Sequence, residues 1–177
     1  MCRRLFVLAF LLSAPGLYAQ QSSPLFTFQE VMVPVRDGVH LQTVIMAPAN
    51  QTGPLPILFR RTPYGVPAAA YAQMPPNLKE FAKDGYIFVI QNLRGRFKSE
   101  GTFALSSQAN LADPKSTNET TDAYDSIDWL VKHVPNNNGK VGIFGVSYDG
   151  LTAAMTLLHP HPALKAVSEQ ASPWISG

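Results

Sequence analysis

Lys140-Val141-Gly142-Ile143-Phe144-Gly145-Val146-Ser147-Tyr148-Asp149-Gly150 decides how this chain reads. Its first half, with Val141, Ile143 and Phe144, is a short apolar run of the kind that forms a buried parallel strand. The second half turns sharply into a helical pattern. A serine caught between a strand end and a helix start is lifted clear of the backbone, and Gly145 and Gly150 remove the Cβ atoms that would obstruct so tight a turn. Ser147 is thus a candidate acyl-accepting nucleophile. The competing reading makes it a helix N-cap, a position for which serine is among the preferred residues. A Gly-x-Ser-x-x-Gly string alone does not separate the two, because the better-known nucleophile turn has its second glycine one place earlier.

Upstream, strands alternate with helices. Phe28–Val35 and Val39–Ala47 are β-rich runs around Arg36-Asp37-Gly38 and predict an antiparallel hairpin. Leu55–Phe59 predicts a short strand leading into the loop Arg60–Gly65. Asn77 is placed to cap a helix that ends near Asp84 with Gly85 as its stop, and Tyr86–Gln91 is the next buried strand. Leu105–Ser116 reads as irregular. Asn118 opens the clearest helix: Glu119, Asp122 and Asp125 favour the positive end of its dipole, and Ala123, Ile127, Leu130 and Val131 recur at helical spacing. After Ser147 come a helix over Tyr148–Leu158 and a last strand over Ala163–Ser168. This order predicts an α/β fold with a mostly parallel sheet and an N-terminal antiparallel hairpin.

With 177 residues, 46% of them hydrophobic and 15% charged, the chain is long and apolar enough for one core. The net charge of +2 is spread over 14 basic and 12 acidic residues with no basic block, which argues against a nucleic-acid partner. Residues 1–19 have the parts of a secretory signal: Arg3 and Arg4, an apolar core from Leu5 to Leu12, Pro15-Gly16, and Ala19 before Gln20. Cleavage after Ala19 would deliver the mature chain to the periplasm or the exterior. The apolar run is too short to span a bilayer and no later run is longer, so no membrane partner is expected after cleavage. Residues 20–27 form a polar lead-in expected to be mobile, and 28–177 form the globular part. Cys2, the only cysteine, leaves with the signal, which removes disulfide and thiol chemistry. No Cys or His cluster has metal-ligand spacing, so neither a metal nor a cofactor is expected.

Acyl transfer needs hydrogen-bond donors aimed at the developing oxyanion. The backbone N–H of Tyr148, next after the nucleophile, is the first candidate. The loop after the third strand offers the Tyr64 hydroxyl as the second; otherwise Tyr64 is a turn-packing aromatic after Pro63. A triad also needs a histidine base and an orienting acid, which in this strand–turn–helix setting follow the serine. Only Asp149, Glu169, His159 and His161 follow it. Asp149 lies on the turn itself and points elsewhere, and the two histidines lie about ten residues on, ~15 Å along a helix. They read as Pro-flanked surface histidines, and His40 and His133 as structural. Arg94-Gly95-Arg96 lacks a phosphate-loop pattern and reads as a solvated or salt-bridged loop.

Four segments in fixed order carry a resemblance: Arg61-Thr62-Pro63-Tyr64; Leu93-Arg94-Gly95-Arg96 with Ser99-Glu100-Gly101; Glu119-Thr120-Thr121-Asp122-Ala123-Tyr124-Asp125 with Asp128-Trp129-Leu130; and Gly145-Val146-Ser147-Tyr148-Asp149-Gly150. Together they resemble the N-terminal part of the catalytic domain of X-Pro dipeptidyl-peptidase-like, cocaine esterase-type serine hydrolases. The Glu-Thr-Thr-Asp helix and His159-Pro160-His161-Pro162-Ala163-Leu164-Lys165 are most similar to α-amino-acid ester hydrolases. That family's serine turn carries the extra residue before its second glycine. The resemblance implies Ser147 as nucleophile, Tyr148 N–H and Tyr64 hydroxyl as oxyanion donors, and an acyl-enzyme formed from a small ester or amide, β-lactams included. X-Pro peptides and simple carboxylic esters are the alternative substrates. It also implies a longer enzyme, with a helical cap and the strands bearing the acid and the histidine after the serine, and the full-length form could oligomerise. The expectation is therefore a partial α/β-hydrolase fold lacking the cap and the C-terminal strands, with no triad acid or base of its own and little activity alone. Two other classes remain: a non-catalytic remnant, and a nucleotide-binding domain whose glycine spacing Gly142, Gly145 and Gly150 do not fit.

Overall fold

The computed structural model describes residues 25–105, 110, 112–113 and 115–173. The expected signal at 1–19, the lead-in at 20–24, part of the irregular stretch 105–116, and Trp174 to Gly177 lie outside the described residues. A single six-stranded sheet runs in the order β1-β2-β4-β3-β5-β6. Strands β1 (Gln29–Pro34) and β2 (His40–Met46) form the expected antiparallel hairpin, and β2 also pairs antiparallel with β4 (Ile87–Asn92). The pairs of β4 with β3 (Leu55–Thr62), β3 with β5 (Asn137–Val146) and β5 with β6 (Leu164–Gln170) are all parallel. The mostly parallel sheet with an antiparallel start is as the residue patterns predict.

Central strands carry apolar side chains on both faces, as strands covered on two sides must. On one face Ile57, Phe59, Ile87, Val89, Val141 and Ile143 pack beneath α2 (Glu119–His133) and α3 (Tyr148–Met155). On the other, Leu58, Phe88, Ile90, Val44 and Met46 pack with Leu78 and the residues around α1 (Lys79–Asp84). The alternation Ile57-Leu58-Phe59 and Ile87-Phe88-Val89-Ile90 divides the core between the two faces.

Several boundaries differ from expectation. Strand β3 continues through Arg60, Arg61 and Thr62, because Arg61 is wholly buried and its neighbours pair with β4. Asn77 caps nothing: a 3₁₀ turn, Pro76–Leu78, precedes α1, with Pro76 at its start. Strand β5 begins at Asn137, and β6 is displaced toward Gln170. Of the lead-in at 20–27, Leu25 to Thr27 are docked: Phe26 bridges to Pro48 and packs edge-on against Phe88, and Thr27 N–H donates to the Ala47 carbonyl. Burial of Phe26 holds this end against the sheet.

Candidate active site

Ser147 sits where β5 ends and α3 begins, with φ 59° and ψ −125°. That left-handed backbone is rare for a residue with a side chain and stores strain. Its hydroxyl makes no capping hydrogen bond to the helix, and the side chain is exposed. The capping role that competed for this serine is therefore not the one it plays. Its N–H donates to the Gln170 carbonyl at 2.9 Å, which pins the turn to β6. The close turn needs its glycines. A Cβ on Gly145 would fall on the backbone of Asp149, and one on Gly150 would stand 2.6 Å from the Gln170 carbonyl oxygen.

Tyr148 occupies the first helical position, where the N–H has no acceptor inside the helix. Its side chain turns away from the serine: the hydroxyl donates to the Leu105 carbonyl at 2.6 Å and the ring meets Phe103. Burial, with Glu119 and Tyr64 nearby, pushes the Tyr148 phenol up to about 12, so it stays protonated at any ordinary pH. Tyr64 is 66% exposed on the turn that follows β3, which makes the packing role unnecessary to explain it. Neighbours hold that turn. Leu93 N–H donates to the Thr62 carbonyl, Tyr64 N–H to the Thr62 hydroxyl, and Arg96 Nε to the Pro63 carbonyl. Phe97, itself at φ 53°, lays its ring over Gly65.

Beneath the turn, Asp149 is buried. Burial raises its carboxyl above the usual aspartate range, and the Thr62 hydroxyl and Arg60, 3.5 Å away, pull it back. Thr152 Oγ1 donates toward the Arg61 carbonyl at 3.0 Å and so ties α3 to the end of β3. Behind these residues lies an ionic cluster. Arg61, 0% exposed, lies 2.9 Å from the Glu119 carboxylate and donates to the Glu119 carbonyl at 2.7 Å and the Gln91 side chain at 2.9 Å. Arg94 bridges Asp122 and Asp37, each at 2.7 Å. Sequence reasoning placed Glu119 and Asp122 at the helix dipole and missed this role. The signal was present: both lie on the same helical face as Ala123, Ser126, Ile127 and Leu130, the face that is buried. Arg94 bears out the salt-bridged reading of its loop. A cavity of about 380 Å³ opens among Asp37, Arg94, Gly101, Asn118 and Asp122, away from Ser147.

All four histidines are engaged elsewhere. His40 contacts Glu100 at 2.9 Å, and His133 stacks on Trp129. His159 stacks on Tyr124 beyond the end of α3. His161 is not the surface residue expected. Its side chain is 10% exposed against Tyr124, its Nδ1 accepts from Ala163 N–H, and its Nε2 lies 3.4 Å from Asp128. Pro160 and Pro162 turn the chain back onto α2 and bury it there.

Residues 37–176 match the model of a family described as X-Pro dipeptidyl-peptidase (S15 family). The cocaine esterase of Rhodococcus sp. (strain MB1 Bresler) is 37% identical over 139 residues, which are 78% of this chain and 22% of that protein. Among solved structures, an α-amino acid ester hydrolase is 37% identical with a TM-score of 0.72, covering 89% of this chain and 28% of its own. An aminopeptidase from a marine sediment Thaumarchaeota archaeon is 34% identical with a TM-score of 0.75, covering 93% and 29%. This chain thus spans less than a third of the length of each of these three relatives.

Proposed function

The chain belongs to the X-Pro dipeptidyl-peptidase (S15) family, a family of α/β-hydrolase fold, and on that footing we propose that it acts through Ser147 on esters or amides by way of an acyl-enzyme. The observation that carries this reading is the strained, uncapped, exposed backbone of Ser147 between β5 and α3. The Ser147 hydroxyl attacks the substrate carbonyl, and the alcohol or amine leaves with a proton. Water then attacks the acyl-enzyme, releasing the acid and restoring the hydroxyl. The Tyr148 N–H and the Tyr64 hydroxyl receive the oxyanion of each tetrahedral intermediate. The likeness to an α-amino acid ester hydrolase favours α-amino-acid esters or amides, β-lactams included, as substrates. The family description, with the aminopeptidase likeness, supports a second reading as a peptidase of the X-Pro type.

The proton of Ser147 needs a base, and each of the four histidines here lies against another partner. These 177 residues by themselves are therefore proposed to turn over slowly, since losing the base of a serine triad costs on the order of 10⁶ in rate. Hydrolysis of p-nitrophenyl acetate by them at an enzyme-like rate would count against that statement. Labelling the full-length form with a fluorophosphonate and mapping the modified peptide tests the nucleophile. Modification at Ser147, absent in Ser147→Ala, is expected, and a label elsewhere overturns the reading. Export with cleavage after Ala19 is proposed alongside, and N-terminal sequencing of the mature protein should begin at Gln20.

A further inference from the structure

Five arginines fall among the described residues, and four of them face a carboxylate. Arg36 pairs with Asp125 at 2.8 Å, Arg60 lies 3.5 Å from Asp149, Arg61 pairs with Glu119 at 2.9 Å, and Arg94 pairs with Asp37 and Asp122. Arg96 faces none among the described residues. Its Nε donates to the Pro63 carbonyl at 3.0 Å, and its guanidinium carbon lies 5.6 Å from the centre of the Phe97 ring and 5.3 Å from that of Phe103. One hydrogen bond and two aromatic faces hold the head, while its terminal nitrogens have no protein acceptor among the described residues. A side chain already held has little rotamer freedom left to lose on binding, so an incoming anion meets a prepared site. The two rings displace part of the water around the cation, and the terminal fork matches a carboxylate bidentately.

The position of Arg96 gives this fork a use. Pro63, which it grips, precedes Tyr64, and Phe103, which it covers, packs against Tyr148 with ring centres 6.2 Å apart. The guanidinium therefore rests on the two segments that carry the assigned oxyanion donors, the Pro63-Tyr64 turn and the Phe103 ring beside Tyr148. We propose that Arg96 is a specificity-determining residue that binds a carboxylate carried by the substrate. The inference rests on the reading of Tyr64 and Tyr148 given above, and it narrows the substrates of that site. β-Lactams, and peptides cut next to their C-terminal residue, carry a carboxylate near the reacting carbonyl; neutral alkyl esters do not. A residue that merely braces the turn would use only its Nε and would not distinguish an acid from its amide.

Hippurate and hippuramide differ only in carboxylate against carboxamide, and isothermal titration of the full chain with each separates the two roles. Wild-type protein should bind hippurate about tenfold more tightly, in line with a charge-assisted bidentate contact. Arg96→Gln should lose the difference, and Arg96→Lys, which keeps the charge without the fork, should retain part of it. Equal affinity for the two ligands, or no detectable binding of hippurate by wild-type protein, overturns the proposal, as does a preference that survives in Arg96→Gln. If Arg96→Gln does not fold, the Lys variant decides, and an undiminished preference there overturns the proposal. Binding requires no turnover, so the same preference in Ser147→Ala keeps this result separate from the fate of the nucleophile.

Discussion

Ser147 shows how a single residue can carry two opposed demands. Its φ of 59° belongs to glycine territory, yet the residue there has a side chain and that side chain caps nothing. The strain is of the order of 1–3 kcal/mol for a non-glycine residue so placed. Ser147→Gly and Ser147→Ala both remove the hydroxyl, but only glycine relieves the backbone. Thermal unfolding should therefore find Ser147→Gly the more stable of the two by about 1 kcal/mol, the gain being reduced by glycine's greater freedom when unfolded. Equal stability would show that the turn is not strained. At Tyr64 the expectation concerns rate: if its hydroxyl is the proposed oxyanion donor, Tyr64→Phe should lower kcat of the full-length form by roughly 10² to 10³ with little change in stability, because the side chain is exposed. Ser147, Tyr148 and Tyr64 were nameable as candidates from the residue order. The φ that separates a nucleophile from a cap was not, since a backbone angle has no letter in the sequence.

Helix α2 is the element through which the core and the site are joined. Its start is closed by a capping box: the Asn118 side chain accepts from Thr120 and Thr121 N–H at 2.9 and 3.1 Å, and the Thr121 hydroxyl accepts from Asn118 N–H at 3.0 Å. Asn118→Ala should cost about 1 kcal/mol in urea unfolding. The buried face is riskier. Arg61→Met would leave Glu119 buried without its main cation, at a cost of about 3–5 kcal/mol near neutral pH. Burial already raises the Glu119 carboxyl, with Arg61 opposing it. A raised carboxyl contributes stability that is present at acid pH and lost as pH rises through the folded-state value, and removing Arg61 enlarges that loss. The deficit of Arg61→Met should thus shrink on acidification from pH 7. Asp37 behaves oppositely. The Arg94 hydrogen bond holds its carboxyl below the ordinary aspartate value of about 3.9, so the deficit of Asp37→Asn should persist above that pH and fade as pH falls through the lowered value. Denaturant melts of both variants across pH 3–7 check the two signs at once. The helix and its cap were legible in the sequence, because both depend on neighbours a few residues away. The partner of Glu119 was not, because Arg61 lies 58 residues earlier.

At the scale of the whole molecule, the described sheet has two edge strands, β1 and β6. Among the described residues β6 pairs only with β5, and most of its side chains are exposed. Unpaired strand edges template further pairing unless charge or proline blocks them. These 177 residues should therefore associate with rising concentration in light scattering, and Ala166→Lys on β6 should reduce that association. A monodisperse monomer at all concentrations would remove the β6 edge as an assembly surface.

The sequence by itself determined the alternation of strand and helix, the antiparallel start, the apolar faces and the glycine-flanked serine, because periodicity and turn chemistry act over a few residues. The tertiary structure decided what depends on distance along the chain. Parallel pairing placed β3 between β4 and β5, which carried Arg61 to the carboxylates of α2 and set Tyr64 on the turn that follows β3. Prolines folded His161 against Asp128 and Tyr124. Four arginines found carboxylates and Arg96 found aromatic rings, a division no local pattern encodes, since which charge meets which is settled only when the sheet closes.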